Sequence, residues 1–406
     1  MEIACVGAGP ASLYFSILMK QADPGHRIIV YEGGQRCDVS GWGMGLWGGS
    51  WDGLLRSLFD SDPTTAGRVQ DSAVRWRGQS LVLAGEALTR EGVGHGIAHG
   101  TLVEILTGRA LELGVEIRFG QQVSDIAEVG DPDVIVAGDG VGSSTRRGAG
   151  DRFGTECALG RNKYVWLGSN KIFDTFTNVF ERTDSGWIWI HGYAVDAYTS
   201  ACIVECTPET WRGLGLDSCS AEQGTAVLES IFRGTLEGSR LLTHGTDSAS
   251  LPWQSFRTIT NRRWWSGKTV LIGDAAHTAH FSIGSGTRLA LQDAIALAGS
   301  LREDGSLQDA FASYQKARCA DVAAAQRDAW FSARWLEDID RYSAMGAPEF
   351  FTLLRARRDP LLARVPPAVY HRLYSTAERN PLLRNLKSRV GPKVRGTYSQ
   401  FLRRSA

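Results

Sequence analysis

The sequence predicts an α/β fold: a Rossmann-like nucleotide-binding domain with an inserted antiparallel β-sheet and a helical C-terminal region. Three observations support this. An apolar strand, a glycine turn and a helical stretch open the chain. Two later apolar strands end in an acid next to a glycine, at Asp139 and Asp274. Between those two acids the chain alternates apolar and polar residues as strands do.

The N-terminal segment predicts a binding site for an ADP moiety. An apolar strand over 2–6 leads into Gly7-Ala8-Gly9-Pro10-Ala11-Ser12, followed by a predicted helix over 13–20 and a second strand that ends at Glu32. Gly7 permits the tight turn, Gly9 lets a pyrophosphate approach the backbone, and Glu32 can accept hydrogen bonds from a ribose. Ser12 stands in place of the usual third glycine, which exchanges one small residue for another.

Two further segments place acids at strand ends. The strand over 133–137 precedes Asp139 and Gly140, and Ser143 and Arg146 follow. The strand over 269–272 runs into Gly273-Asp274 and then an Ala/Leu-rich stretch. A carboxylate at a strand end, ahead of a helix start, suits a sugar-alcohol chain beside a phosphate-binding helix terminus. Ordinary turns also contain Asp-Gly, so the prediction depends on all three segments in this order.

Together these segments resemble the class A FAD-dependent aromatic hydroxylases, the para-hydroxybenzoate hydroxylase group. The resemblance spans nearly the whole chain and is closer still to the salicylyl-CoA and anthraniloyl-CoA hydroxylases and to the violacein-pathway hydroxylases of tryptophan derivatives. The closer match lies in Gly41-Trp42-Gly43, in 160–168 and in the long stretch 278–287. It implies an FAD-binding domain of the glutathione-reductase type.

The resemblance also implies the chemistry. FAD would be the cofactor and NADPH or NADH the cosubstrate. O₂ would add at flavin C4a, and the hydroperoxide would transfer its outer oxygen to an electron-rich ring, such as a phenol, hydroxypyridine or indole. The cofactor carries the difficult chemistry, so the chain needs a dry pocket and well-placed donors. We expect a role in specialised-metabolite or antibiotic biosynthesis.

Two glycine-containing segments are expected beside the flavin ring. In Ser282-Ile283-Gly284-Ser285-Gly286-Thr287 the glycines allow close backbone approach, and the helix that follows points its positive end at the ring. A glycine-rich helix cap is a compatible interpretation. The Gly41-Trp42-Gly43 loop can allow flavin movement, or it is a plain loop with a packed Trp42.

One position departs from the family pattern. His99 stands where the resemblance places an FAD-phosphate-binding arginine. Histidine lacks the permanent positive charge of arginine and the planar guanidinium group that can donate two hydrogen bonds to one phosphate. We therefore expect one of two outcomes: FAD binds more weakly, or Arg36 or Arg109 binds the phosphate instead.

The candidate catalytic residues are His191, Tyr193 and His280. His191 and Tyr193 alternate with Trp189 on one predicted strand, so they share a face. Either can hydrogen-bond a phenol or ring nitrogen and assist its deprotonation. Candidate substrate contacts, with a core role left open for each, are Tyr164, Trp166 and Phe281.

The motifs imply a discontinuous domain organisation. We expect the FAD-binding domain over 1–75, 95–158 and 258–330, the β-sheet substrate domain over 76–94 and 159–257, and a helical region over 331–406. The tail over 376–406 carries eight Lys and Arg residues against one Glu. It is either a solvated basic face or an attractor for an anionic ligand such as NADPH or a CoA phosphate.

Composition excludes several classes of protein. The 406 residues have zero formal net charge, so no global field favours nucleic acid or a membrane. No apolar run approaches the ~20 residues that span a bilayer, and no signal peptide is apparent. Seven cysteines without a Cys-x-x-Cys pair predict no metal site and no disulfide framework. We expect a cytoplasmic protein and allow for a homo-oligomer.

Three alternatives stay open. An aryl-CoA thioester substrate is one, although no reductase-like extension follows the hydroxylase-like region, unlike in the CoA-specific relatives. A flavin-dependent halogenase is another, since Gly186 to Ile190 partly matches its Trp-x-Trp signature; His191-Gly192 replaces the expected Ile-Pro, and no catalytic lysine is identified. The third is a non-catalytic flavin-binding protein.

Overall fold

The computed structural model describes residues 1–36, 41–243, 249–303 and 305–379. Its strands, in chain order, are β1 (Glu2–Val6), β2 (Arg27–Tyr31), β3 (Gly43–Trp47), β4 (Val74–Leu83), β5 (Glu86–Ala98), β6 (Glu116–Arg118), β7 (Val134–Ala137), β8 (Thr155–Leu159), β9 (Lys163–Ser169), β10 (Phe176–Thr183), β11 (Gly186–Ala194), β12 (Ser200–Cys206), β13 (Leu241–Leu242), β14 (Arg257–Asn261), β15 (Trp265–Ser266) and β16 (Thr269–Leu271). Its helices are α1 (Pro10–Ala22), α2 (Gly49–Ser61), α3 (Pro63–Ser72), α4 (His99–Glu112), α5 (Ser144–Gly148), α6 (Pro208–Gly213), α7 (Ala221–Ile231), α8 (Arg233–Leu236), α9 (Gly286–Leu301), α10 (Leu307–Glu337), α11 (Ala347–Ala356) and α12 (Pro367–Arg379).

A six-stranded sheet with the order β15-β16-β7-β1-β2-β6 forms the centre of the nucleotide-binding part. All its pairings are parallel except that of β15 with β16. The inner strands are apolar along their length because helices cover both faces of such sheets. Helix α1 packs against α4 and α9 on this sheet. The α/β prediction for this region is confirmed.

The second sheet has eight strands in the order β13-β9-β12-β11-β10-β4-β5-β3. Its pairings are antiparallel except that β10 runs parallel to β4. Along β11, Trp187, Trp189, His191 and Tyr193 lie on one face. Ile188 and Ile190 lie on the opposite face, in a core with α7 and α8. The inserted sheet was predicted; the helices α6, α7 and α8 beneath it were not.

The described part of the C-terminal region, up to residue 379, is helical, as predicted. The long helix α10 packs on α9, and α11 packs against β4 and β5. The basic tail beyond residue 379 lies outside the described residues. Among the described helices, none has the length and apolar character required to cross a membrane.

Candidate flavin and substrate site

The three sequence motifs meet at one edge of the parallel sheet. Strands β16, β7, β1 and β2 are neighbours and run in the same direction. Their carboxyl ends therefore lie side by side, and ligands of open parallel sheets bind at that edge. The segments ending at Gly7, Glu32, Asp139 and Gly273 form a single site.

The first turn is built by two glycines with different roles. Gly7 has a φ of +89°, and a Cβ atom there would lie 2.7 Å from the carbonyl oxygen of Gly138. Gly9 has extended backbone, and a Cβ atom there would lie 3.8 Å from the carbonyl oxygen of Gly138. Helix α1 then begins at Pro10, and no described side chain caps it. Its first N–H groups thus point at an open position suited to a phosphate.

Glu32 and Ser12 complete this turn. The Glu32 carboxylate accepts the backbone N–H of Ala8 at 2.7 Å and that of Gly34 at 2.8 Å, which fixes it beside the turn. Ser12 is fully buried, and a Cβ atom on Gly138 would collide with its hydroxyl. Ser12 therefore belongs to the helix–strand packing rather than to a ligand-facing surface.

Asp139 and Arg146 connect the second motif to the third. One carboxylate oxygen of Asp139 accepts the Thr145 N–H at 3.0 Å, and its other oxygen is buried without a partner among the described residues. The buried Arg146 guanidinium donates to the Ala275 carbonyl at 2.8 Å and to the Val141 carbonyl at 2.6 Å. Arg146 thus ties the loop after β7 to the loop after β16.

The third motif is held from behind by Asp293 of α9. Its carboxylate accepts hydrogen bonds from His277 Nε2 at 2.7 Å, from Arg318 Nε at 2.8 Å and from the Gly273 N–H at 3.2 Å. Burial opposes ionisation of Asp293, but His277 and Arg318 hold its pKa below the usual value. Sequence reasoning missed this residue, which fixes the loop that presents Asp274.

Asp274 itself lies in an open crevice. Protein surrounds the side chain, yet the side chain keeps a large accessible surface. Its carboxylate therefore lies in a deep cleft that is wide enough for solvent. Burial, offset by His277, raises the pKa of Asp274.

The residues at this edge fit FAD. A phosphate is accommodated at the start of α1, a ribose at Glu32, and hydroxyl groups at the open Asp274 and the unpaired oxygen of Asp139. Nothing lies within 4 Å of a Cβ position at Gly140 or Gly286, so both backbones are open to a ligand.

The segment predicted to face the flavin is held by two arginines of the C-terminal region. Arg357 is buried and donates to the Ser282 carbonyl at 2.7 Å, to Ser332 Oγ at 2.8 Å and to the Leu354 carbonyl at 2.8 Å. Arg358 donates to the Ile283 carbonyl at 3.3 Å. Gly284 has a φ of +62° and packs against the carbonyl of Gly45. Ile283 is buried, and Thr287 lies in the first turn of α9.

Opposite this segment, the larger sheet presents an aromatic face. The centroid of the Phe281 ring lies 4.6 Å from the Tyr164 centroid, 6.2 Å from the His191 centroid and 4.1 Å from the His280 centroid. Trp166 shares the Tyr164 face of β9 and lies against Gly41. Four predicted residues, Tyr164, His191, His280 and Phe281, are thus brought together.

A buried carboxylate lies within this face. Glu205 of β12 is 1% exposed and accepts Asn162 Nδ2 at 2.8 Å and Trp189 Nε1 at 3.1 Å. His191 Nε2 lies 3.7 Å from the nearer Glu205 oxygen and has no hydrogen-bond partner among the described residues. Burial opposes ionisation of Glu205, but His191, His280 and Asn162 hold its pKa below the usual value.

Two neighbouring groups, His280 and Tyr164, stay uncharged at neutral pH. Burial lowers the pKa of His280 to about 4 and raises that of Tyr164 to about 12. His280 Nδ1 pairs with Ser282 Oγ at 2.9 Å, which connects it to the Arg357 network. Tyr164 keeps its proton and can donate it.

Other predicted residues lie elsewhere. The Tyr193 hydroxyl donates to the Gly43 carbonyl at 3.0 Å, and its ring stacks on Phe176. Arg109 pairs with the buried Asp62 at 3.2 Å, and it lies far along α4 from His99.

His99 begins α4 and donates its backbone N–H to the Trp42 carbonyl. The Trp42 ring packs on Gly168 of β9, and Arg36 is exposed next to the undescribed residues 37–40.

A signal for Glu205 was present in the sequence. It is the one charged residue in the run Ser200–Cys206, which is otherwise small or apolar and fully buried. Such a glutamate needs a partner or a function. Arg357 had no comparable signal, because its contact with Ser282 joins residues 75 positions apart.

Comparison with known proteins supports this site. The family model described as "FAD binding domain" matches residues 112–328. A salicyloyl-CoA 5-hydroxylase of Streptomyces sp. is 34% identical over 84% of this chain, and the match covers 66% of that protein. A 3-hydroxy-4-methyl-anthranilyl-[aryl-carrier protein] 5-monooxygenase of Streptosporangium sibiricum is 34% identical, with 82% of this chain and 89% of that protein covered. The solved tetrameric form of 2-methyl-3-hydroxypyridine-5-carboxylic acid oxygenase superposes with a TM-score of 0.65 at 18% identity, covering 91% of this chain and 95% of that one, which shows the shared fold.

The fold and site therefore define a flavoprotein of the class A monooxygenase type, with FAD as its cofactor. The chain belongs to the FAD-binding domain family, and the predicted resemblance to the aromatic hydroxylases is confirmed.

Proposed function

We propose that this enzyme hydroxylates an electron-rich aromatic ring that carries a hydroxyl, amino or ring N–H group, using NAD(P)H and O₂. The single observation behind this proposal is the buried His191–Glu205 pair on the aromatic face opposite Phe281. FAD supplies the oxygen-activating chemistry when it is bound. The residues of this chain bind the ring, exclude water and control one proton.

The hydrogen bonds around His191 fix its tautomer. The Asn178 amide donates through Nδ2 to the Ser80 carbonyl at 3.4 Å, which turns Oδ1 towards His191 Nδ1 at 2.9 Å. Nδ1 therefore carries a proton and donates it to Asn178. In the neutral ring, Nε2 is then an acceptor facing the Glu205 carboxylate.

In this form Nε2 can accept the proton of a bound phenol O–H or ring N–H, and the transfer leaves an imidazolium beside the Glu205 carboxylate, which stabilises it. The ring then becomes more electron-rich, which favours attack by an electrophilic oxygen. General-base assistance of this kind typically contributes 10²–10⁴-fold to a rate.

The test is Glu205→Gln in the FAD-loaded enzyme. We expect phenols and aminoarenes to accelerate NAD(P)H oxidation with oxygen insertion in the wild type. In the variant, the hydroxylation rate should fall by about 10²-fold. Glu181→Gln is the matched control, because Glu181 is a half-buried glutamate on the next strand, β10, facing the other side.

Ring analogues in which the donor is methylated give a second arm. Methoxy or dimethylamino analogues should bind weakly and stimulate little NAD(P)H oxidation. Equal hydroxylation of blocked and unblocked rings, or an unimpaired Glu205→Gln enzyme, would contradict the proposal.

A further inference from the structure

A cleft of about 510 Å³ lies directly behind the aromatic face, and none of the chemistry above uses it. It runs between α10 and the paired strands β8 and β14, and we call it the α10 cleft. His280 and Phe256 form its inner wall, with ring centroids 4.8 Å apart. Its outer rim is exposed: Leu159 is 69% and Trp330 54% accessible. The cleft thus leads from solvent to the back of the His280–Phe281 pair.

The walls of the α10 cleft suit a narrow, flexible and partly polar chain. Thr258 and Thr260 lie on one face of β14 and line the cleft. The opposite wall is a helical stripe on α10, with residues at spacings of three and four: Gln326, Ala329, Trp330, Ala333, Arg334 and Glu337. At ~1.5 Å per residue this stripe is about 16 Å long.

The rim of the α10 cleft is basic. Its lining contains Arg161, Arg327 and Arg334 and one acidic residue, Glu337, and Arg327 is paired with Asp328 at 3.0 Å. Arg161 pairs with Glu209 at 3.2 Å and Arg334 with Glu337 at 3.2 Å, but both arginine side chains are more than half exposed. Exposed ion pairs are weak, so both guanidinium groups remain able to bind an anion. Arg334 also lies over the Trp330 ring at 5.5 Å.

These features match one chemical group. A phosphopantetheine arm has a phosphate at one end, two amides along its length, an apolar dimethyl group and a thioester at the other end. The arginines at the rim suit the phosphate, the threonines suit the amides, and Trp330 with Leu159 suits the dimethyl group. The thioester would then lie next to His280, with the acyl ring beyond it.

The two relatives described above act, by their names, on acyl groups held in this way. One name specifies a CoA thioester and the other an aryl-carrier protein. Both CoA and carrier proteins present acyl groups through a phosphopantetheine thioester.

We propose that the α10 cleft binds the phosphopantetheine arm of an aryl thioester, so that the ring substrate reaches the His191–Glu205 pair while still attached to its carrier. This inference rests on the proposed ring hydroxylation for its acyl end. The cleft itself is a binding site that can be tested without turnover.

The first experiment measures binding to the FAD-loaded enzyme by equilibrium dialysis. The probes are coenzyme A and 4′-phosphopantetheine. The double variant Arg161→Ala/Arg334→Ala should weaken both about tenfold or more, because it removes two charged donors. Arg182→Ala is the matched control, since Arg182 is an exposed arginine paired with Asp340 outside the cleft and should leave binding unchanged.

The second experiment compares forms of one aryl group: the free acid, the N-acetylcysteamine thioester, the CoA thioester and the thioester on a carrier protein. The double variant should raise KM for the last two about tenfold with little change in kcat, and leave the N-acetylcysteamine thioester unaffected. A KM effect on the CoA thioester identifies CoA as the source of the arm; an effect confined to the carrier-bound thioester identifies the carrier protein.

Three results would overturn the assignment of the cleft: no binding of either probe, equal binding by wild type and double variant, or equal kcat/KM for free acid and carrier-bound thioesters. Failure of the proposed function looks different. In that case arginine-dependent binding of the probes persists, but no aryl group stimulates NAD(P)H oxidation.

Discussion

Gly7 and Gly9 lie two residues apart, and the structure predicts opposite consequences of adding one methyl group to each. Gly7→Ala places a side chain at a φ of +89°, with its Cβ atom 2.7 Å from a backbone oxygen. Gly9→Ala places it on extended backbone, with φ of −72° and ψ of 170°, where the nearest atom is at 3.8 Å. The first change strains the protein itself; the second changes only the surface offered to a ligand.

The magnitudes follow from these geometries. A left-handed alanine costs about 1–2 kcal/mol. Relief of the contact with the Gly138 carbonyl requires a shift of β7 or α1, so we expect Gly7→Ala to lower the free energy of unfolding by about 2–4 kcal/mol. Gly9→Ala should leave it unchanged, or raise it by about 0.5 kcal/mol because the unfolded chain loses freedom. Its FAD affinity should nevertheless fall about 10- to 100-fold, since the added methyl keeps the pyrophosphate from the backbone.

The assay separates the two effects. Thermal unfolding of the flavin-free proteins measures the strain, and fluorescence titration with FAD measures the affinity. Gly7→Ala should show a lower Tm without flavin, and Gly9→Ala a wild-type Tm with weakened FAD binding. Undiminished FAD affinity in Gly9→Ala would refute the placement of the pyrophosphate at the start of α1.

Two further outcomes can be checked by thermal unfolding. Asp293→Asn should lower stability by about 3–5 kcal/mol, because it removes the buried carboxylate that pairs with the buried Arg318 guanidinium. Asp321→Asn, which removes the exposed partner of the same arginine, should have little effect. The pKa of His280 is lowered from 6.5 to about 4, so the unfolded chain binds a proton that the folded chain excludes, and stability falls as pH drops from 6.5 towards 4. This loss amounts to at most about 3 kcal/mol. His280→Gln should flatten the pH dependence of Tm in that window, and an unchanged slope would show that another group titrates there.

The flavin-binding edge was predictable from sequence because it depends on local rules. A glycine turn, an acid at the end of β2 and acids after β7 and β16 each follow an apolar strand, and parallel strands necessarily bring their carboxyl ends together. The position of His191 was predictable from strand alternation in the same way. The roles of Tyr193 and Arg109 were not, since their partners, Gly43 and Asp62, lie 150 and 47 residues away.

Sequence by itself determined the α/β class of this protein, its cofactor and the strand that carries His191, because these depend on residue spacing within short segments. Only the tertiary structure decided which charges face the substrate side. Glu205 is held by Asn162 and Trp189, Arg357 reaches the Ser282 carbonyl, and the α10 cleft forms where α10 packs against the segment over 278–287. Their surroundings are contacts between distant parts of the chain, and such contacts leave no periodic pattern in a sequence.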